Sequence, residues 1–410
     1  MWFRILILAL GTFALGTDSF VIAGILPSVA HDLNVSVAMA GLAVAVFSLT
    51  YALGAPLLAT LTASLARRRL LLLSLLVFTS ANILAACAAN FTILLLARVL
   101  AACGAALYTP TASAVAAALA PQEQRGRALS LVTAGLTVSV ALGVPLGTLI
   151  GTQLHWQATF VLIAALGTLA LLGIWTRFPD VANPAAVGLS QRLALLRSPA
   201  LLATLGTTTA FVIGFYTVFT YLGVVLEQVT HLDGAGVSSM LFLSGIASML
   251  GNSLGGYGAD RWGSVRTLAI GLVGVILALS SFPLLVVTPL GAGLVVTLWG
   301  LAGWMLLPPQ QHRLIALAPQ MMGIILSLNA SAIYLGAASG AAVGGLVIHS
   351  FPISTLGWVG TSWELLALGI FFLSVWLTSR RTARSTGEAA RQETAADIRE
   401  EQVKSLSGRE

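Results

Sequence analysis

Charge is what this chain lacks most for its length. Only 8% of its 410 residues are Asp, Glu, Lys or Arg, against about 25% in an ordinary soluble domain. With so few charges and 58% hydrophobic residues, a water-soluble core of this length could not hide the apolar surface, which leaves lipid as the solvent. Cysteine is scarcer still, with two residues. Cys87 and Cys103 lie in apolar runs without CxxC spacing or a nearby His, so they read as packing thiols, and no metal or cofactor is expected. The apolar runs also lack HExxH, GxSxG and paired-aspartate signatures, which argues against an intramembrane enzyme. The formal charge of +6 is scattered through short loops. No basic face with interleaved aromatics forms, so nucleic acid is not a partner; placement at a membrane surface accounts for the basic excess.

What the chain does have is a succession of long apolar runs. A membrane span needs about 20 mostly apolar residues. Twelve fit, at roughly 5–27, 38–62, 69–89, 91–118, 127–150, 157–176, 200–226, 236–257, 265–287, 289–310, 322–348 and 358–378. The first opens like a signal peptide, with Arg4 before an apolar stretch, but it continues through Asp18 to Pro27 without a small-x-small cleavage site. It is read as a retained span. Runs this long exclude barrel strands, and lipid offers the backbone no other partner, so the expected fold is an all-α membrane bundle.

Twenty Lys and Arg residues test the count. Only Arg98 lies deep inside a run, Arg69 and Arg127 standing at the edges of theirs. The others occupy every second gap: Arg4, then Arg67, Arg68 and Arg69, then Arg125 and Arg127, then Arg177, Arg192 and Arg197, then Arg261 and Arg266, then Arg313, and lastly the tail beginning Arg380, Arg381, Arg384. The gaps near Asp32, Asn90, His155, Asp233, Pro289 and Pro352 hold none. Basic loops stay in the cytoplasm, so an even number of spans with both termini cytoplasmic is expected, in a multi-pass protein of the cell membrane. One span too many or too few would break the alternation.

Two six-helix halves are expected, at 1–176 and 200–378, joined by a cytoplasmic linker at 177–199 that contains FPDVANPAAVG. Residues 379–410 form a charged cytoplasmic tail; from Arg380 onward it carries seven positive and six negative residues, the composition of a solvated segment. The halves repeat. Pro110 matches Pro308, and Ala120-Pro121-Gln122 matches Ala318-Pro319-Gln320, at a constant offset of 198. Leu129-Ser130-Leu131 matches Leu326-Ser327-Leu328, and Gly143 and Gly147 match Gly340 and Gly344, at 197. A near-constant offset across two spans points to pseudo-symmetric, duplicated halves, the architecture of secondary transporters whose substrate sits near the midplane between the repeats.

Asp18 is the first candidate functional residue. It stands nine residues inside Pro27, about 14 Å deep, and Arg98 stands eight residues beyond Asn90, about 12 Å deep from the same face. Ionisable groups at such depth are costly and normally face the protein interior or water. Whether a carboxylate holds a proton depends on its access to water and on the distance of a guanidinium, which itself stays charged. Movement that alters either would take up or release a proton. The competing reading is a static ion pair that fixes helix packing. Glu227 and Glu364 fall close to outer span ends, where interface exposure is expected.

With these residues in place, residues 5–378 resemble the major facilitator superfamily, in its twelve-span drug:proton antiporter type and near the sugar, purine-nucleoside and drug efflux branch. The first span matches an acidic residue followed by F-V-x-x-G-x-L-P, as Asp18, Phe20, Val21, Gly24, Leu26 and Pro27. R-x-x-x-x-x-G in the fourth span matches Arg98 and Gly104, and the resemblance implies proton coupling by that arginine. LGVPLGTLIG at 142–151 resembles the antiporter motif G-P-x-x-G-G, as Gly143, Pro145, Gly147 and Gly151. Glycines let helices approach and Pro bends them, so the resemblance implies a bent gate helix between the halves. GGYGADRWGSVR at 255–266 resembles G-x-x-x-D-R-x-G-x-x-R, as Gly256, Asp260, Arg261, Gly263 and Arg266. Asp260 would accept hydrogen bonds from a helix N-terminus and the arginines would bridge carboxylates, holding an outward-open state. The first-half copy, ATLTASLARRRL at 59–70, departs from the pattern: Ala63 replaces the Asp and Ala66 a Gly, while Arg67 and Arg68 remain. Gating would then rest on the second copy.

The family lines its cavity with spans one, four, seven and ten. Here these carry Tyr108, Phe215, Tyr216, Trp299 and Trp304, with Asn329 on the neighbouring eleventh. Aromatics with a few polar groups suit a flat or amphipathic solute. The resemblance implies a monomeric, proton-coupled exporter of a small organic solute. A sugar or purine-nucleoside exporter, an uncoupled facilitator and a membrane sensor of the same fold are the alternatives.

Overall fold

The computed structural model describes residues 1–62, 64–179 and 197–380. Ala63, Arg192 and the rest of the expected linker at 180–196, and the expected tail from Arg381 onward, lie outside the described residues. Within them every regular element is helical, and twelve helices are long and apolar enough to cross a membrane. They are α1 (Trp2–Asp32), α2 (Val37–Leu61), α3 (Arg67–Ala86), α4 (Phe91–Leu119), α5 (Gln122–Gln153), α6 (Trp156–Arg177), α7 (Pro199–Gln228), α8 (Gly234–Trp262), α9 (Ser264–Leu285), α10 (Pro289–Leu317), α11 (Pro319–Ser350) and α12 (Thr355–Arg380). Each coincides with one expected span.

Most of the helices run past the apolar runs, because hydropathy reports where lipid ends and a helix can continue into the interface. Arginines expected in loops therefore sit on helix ends: Arg125 and Arg127 begin α5, and Arg261 closes α8. Arg313, also expected in a loop, is a correction of a different kind. It lies within α10 and is half-buried.

At the base-free end, four helix starts are closed by short polar side chains. Ser36 accepts from the Met39 amide, Asn90 from Ile93, Asp233 from Gly236 and Thr288 from Gly291, each satisfying an amide the helix cannot. Lipid-facing positions are large and apolar: Leu284 is 74% exposed, Leu61 68% and Leu346 69%. In water such a surface would drive aggregation; in acyl chains it is neutral.

Three helices are interrupted near the interface of the halves. Helix α5 contains a π-helical turn at Ser139–Gly143, immediately before Pro145; wide turns of this kind accommodate a kink and gather at functional sites. Helix α7 breaks between Phe219 and Leu222, and α10 breaks at Leu306, before Pro308 and Pro309. Between the first and last six helices the contacts run from α2 to α11, from α5 to α8 and from the outer part of α7 to α1.

Candidate functional site

Asp18 and Arg98, eighty positions apart in the chain, meet inside the bundle. Arg98 Nη1 donates to Asp18 Oδ1 at 2.6 Å, and Nη2 donates to the Asp18 backbone carbonyl at 3.2 Å. Asp18 is 0% and Arg98 1% exposed. The guanidinium lies 4.3 Å from the ring centroid of Phe47 on α2, a cation–π contact that takes the place of solvent on one face of the charge. Asp18 Oδ2 and Arg98 Nε have no hydrogen-bond partner among the described residues. The pair is a closed contact with one carboxylate oxygen left unsatisfied, an arrangement sensitive to any shift of α1 against α4.

Beside the pair lies a cavity of about 280 Å³. Gly16, Ser19 and Phe20 of α1 line it while Asp18 does not, so one turn of α1 presents the cavity on one face and the carboxylate on the other. Phe20 is part of its wall, 6.1 Å from Trp304, 6.4 Å from Tyr216 and 5.9 Å from Phe219 between ring centroids. Tyr51 of α2 and Tyr334 of α11 stack at 3.6 Å across the halves and form another wall. The polar groups are few. Thr12, Ser19 and Thr109 donate their hydroxyls to the carbonyls of Leu8, Leu15 and Ala105, so toward the cavity they retain mainly acceptor capacity. Gln311, exposed, supplies an amide. Among the described residues, no Asp, Glu, Lys or Arg lines this cavity.

Of the six residues expected at the substrate, Phe215, Tyr216 and Trp304 line the cavity. Tyr108, Trp299 and Asn329 do not. Tyr108 is fully buried, donates to the Leu8 carbonyl at 3.0 Å and packs over Gly11. Trp299 is 0% exposed behind Phe215, whose ring it meets at 4.6 Å. Asn329 accepts from Thr208, which in turn accepts from Gln310. Tyr108→Phe is expected to lower thermal stability by about 1 kcal/mol, the worth of one buried hydrogen bond, and to leave the apparent KM of any transported solute unchanged; a KM shift would put the hydroxyl in the site. Sequence reasoning passed over Phe20, Tyr51, Phe211 and Tyr334. Tyrosines in the middle of spans two and eleven were the available signal.

The cavity has one sealed end. Beyond Phe20 and Tyr216, toward the base-free loops, Gly223 of α7 lies so close to α1 that a Cβ there would overlap the Ala23 carbonyl. Ser238 of α8 donates to the Pro145 carbonyl at 2.8 Å, and a Cβ on Gly245 would strike the Ala141 backbone. The expected motif glycines of α5 face α1: Gly143 lies under Thr17, Gly147 under Val21 and Gly151 under Ile25. The π-helical turn, Pro145 and the glycines therefore sit where α1, α5 and α8 converge. The lining residues Thr12, Leu307 and Gln311 extend the other way, toward the end that bears the termini. Gly223→Leu is expected to prevent this seal and shift the population toward the oppositely open state, read as a longer distance between spin labels on α1 and α7 at the base-free end; an unchanged distance would contradict the packing argument.

At the termini-bearing end, Gly263 takes φ 85° in the turn joining α8 to α9, a conformation that favours glycine. Asp260, Arg261 and Arg266 are exposed. Arg261 donates to Tyr257 on its own helix, and no ion pair links these residues to the first half among the described residues. Nothing crowds Gly256. In the remnant first-half copy, Arg67 donates to the Ala114 carbonyl and Arg68 to that of Trp175.

Two further groups were misjudged from sequence. Arg313 is tied to Gln310 and to Ser374 of α12, and lies 4.9 Å from the Phe371 ring centroid, joining α10 to α12. Glu364, expected near an interface, is 0% exposed. It is nine residues into α12 from Thr355, about 14 Å along the helix. Glu227 is exposed, as expected.

A family profile, the Major Facilitator Superfamily, matches residues 8–341. The chain is 35% identical over 365 residues to the uncharacterized MFS-type transporter YbcL of Bacillus subtilis, spanning 89% of this chain and 94% of that one. It is 32% identical over 375 residues to the inner membrane transport protein YdhP of Escherichia coli, spanning 91% and 96%. Among solved structures it resembles a bacterial homolog of the human lysosomal transporter Spinster, in an inward-facing and occupied conformation, with TM-score 0.74 and 17% identity over 91% and 96% of the two chains. It also resembles a D-xylose-proton symporter, with TM-score 0.75 and 16% identity over 90% and 97%. A twelve-helix bundle, a central cavity between its halves and relatives matched nearly end to end lead to one conclusion: this chain is a membrane transporter of the major facilitator superfamily.

Proposed function

We propose that the chain is a proton-coupled exporter of flat, largely apolar organic solutes, working by alternating access. The observation that carries this reading is the buried Arg98–Asp18 contact lying one helix face away from an aromatic cavity. Occupation of the cavity presses on Phe20 and Ser19, and a small rotation of α1 changes the Asp18–Arg98 distance and the access of water to Oδ2. Protonation of Asp18 removes the charge that holds Arg98, and the helices separate; loss of the proton restores the pair. With the arginine-bearing ends in the cytoplasm, the open end of the cavity faces inward, and solute is loaded from the cell while the outer seal is shut. Asp260, Arg261 and Arg266 belong to the opposite state: they pair with the first half when the inner end closes and the Gly223 seal parts.

The walls favour an aromatic or amphipathic solute over a sugar, because a sugar needs many directed donors and acceptors, whereas the polar groups here are Gln311, the hydroxyls of Thr12, Ser19 and Thr109, whose protons go to backbone carbonyls, and the phenol tips of Tyr51, Tyr216 and Tyr334 on otherwise apolar rings. The test is reconstitution into liposomes with an imposed pH gradient and three probes: a planar aromatic cation, a purine nucleoside and a pentose. Gradient-driven accumulation of the first supports the reading. Accumulation of the pentose alone would overturn the solute assignment, and no accumulation of any probe would favour a sensor.

A further inference from the structure

The C-terminal half holds a carboxyl group that the cycle above does not use. Glu364 is completely buried at mid-helix, and neither Oε1 nor Oε2 has a hydrogen-bond partner among the described residues. The site is shaped for it. Gly214 of α7 faces it with no side chain; a Cβ there would stand 2.8 Å from Oε1 and 2.9 Å from the Gly360 carbonyl. Val218 of α7 and Leu279 of α9 close over Gly360 one turn away. None of these titrates. On α7, Tyr216 is turned into the aromatic cavity and Tyr221 donates to the Ala341 carbonyl. On α12 the next ionisable residue toward the C-terminus is Arg380, sixteen residues on. No ion pair reaches Glu364 among the described residues.

A carboxylate anion without a cation or a donor is not tolerated in such a medium, whereas the neutral acid is. The helix that covers the group is the one most able to uncover it. Helix α7 forms a cavity wall through Phe211 and Phe215, seals the outer end through Gly223, and is broken between Phe219 and Leu222. Gly214 lies on the long segment below that break. A shift of this lower segment against α12 would take Gly214 off Glu364.

We propose that Glu364 is a second proton-carrying site. It holds its proton as a neutral carboxylic acid while α7 covers it, and gives that proton to entering water, leaving the carboxylate, when α7 moves. This rests on the alternating-access reading but not on Asp18 being the coupling residue. Infrared spectroscopy of the protein in liposomes at neutral pH tests it without any solute. The carboxylic C=O band of a protonated acid should be present, should vanish in Glu364→Gln, and should persist in Asp18→Asn. It should exchange into D2O within minutes, and Gly214→Ala, which crowds Oε1, should shift the band without removing it. Absence of the band, its survival in Glu364→Gln, or a band that fails to exchange over many hours would overturn the proposal. The last result would mark a sealed, purely structural acid. Loss of the band in Asp18→Asn, with the Gln variant still folded, would assign the proton to Asp18 and leave the single-site cycle standing.

Discussion

Asp18→Asn is expected to abolish gradient-driven accumulation of solute while leaving exchange between equal concentrations measurable. Asn keeps the shape of the side chain and an oxygen that can accept from Arg98 Nη1, where Asp18 now accepts at 2.6 Å. It does not titrate. The loaded carrier can still rock between its two states, because the cavity walls and the outer seal are untouched, but the direction of movement is no longer tied to the proton gradient. The assay is uptake into liposomes with and without an imposed pH difference. Full gradient-driven activity in this variant would remove Asp18 from the coupling role and reduce the pair to a packing device.

The second large effect concerns stability. Arg98→Ala strands a buried carboxylate, and breaking a buried pair from one side costs about 3–5 kcal/mol. Replacing both partners by apolar residues of similar size, as in Asp18→Leu with Arg98→Met, is often neutral or stabilising. The double variant should therefore unfold in mixed micelles near the wild-type temperature, well above Arg98→Ala. A double variant as unstable as the single one would mean that the hydrogen bond from Arg98 to the Asp18 carbonyl and the Phe47 contact, not the charges, hold these helices together. The double variant should also be inert in gradient-driven transport, which separates folding from coupling.

How far the sequence foretold the structure follows from what hydropathy reports. It gives depth along the membrane normal. Twelve spans, and the similar depth of Asp18 and Arg98, were legible for that reason. It does not give direction around a helix. Tyr108 and Trp299 are at the right depth but turn into helix packing, whereas Phe20 and Tyr334 turn into the cavity. Glu364 was read by distance from the end of an apolar run, and its burial depends on Gly214, 150 positions earlier in the chain, a match of hole and side chain that no local pattern encodes. Arg313 was placed in a loop because Pro308, Pro309 and the polar run after them end the apolar stretch, yet the helix resumes after the break at Leu306. The α5 motif lies where α1, α5 and α8 converge, and the distortion there is a π-helical turn ahead of Pro145, which the motif did not foretell, as well as the proline itself.

The central claim is that solute movement in one direction drives a proton in the other. The most direct measurement is proton flux in liposomes loaded with a pH-sensitive dye, recorded when a transported solute is added outside with no initial pH difference. Solute entry accompanied by proton exit, absent in Asp18→Asn, is the predicted result. Protons entering together with solute, or no proton movement while solute crosses, would contradict it.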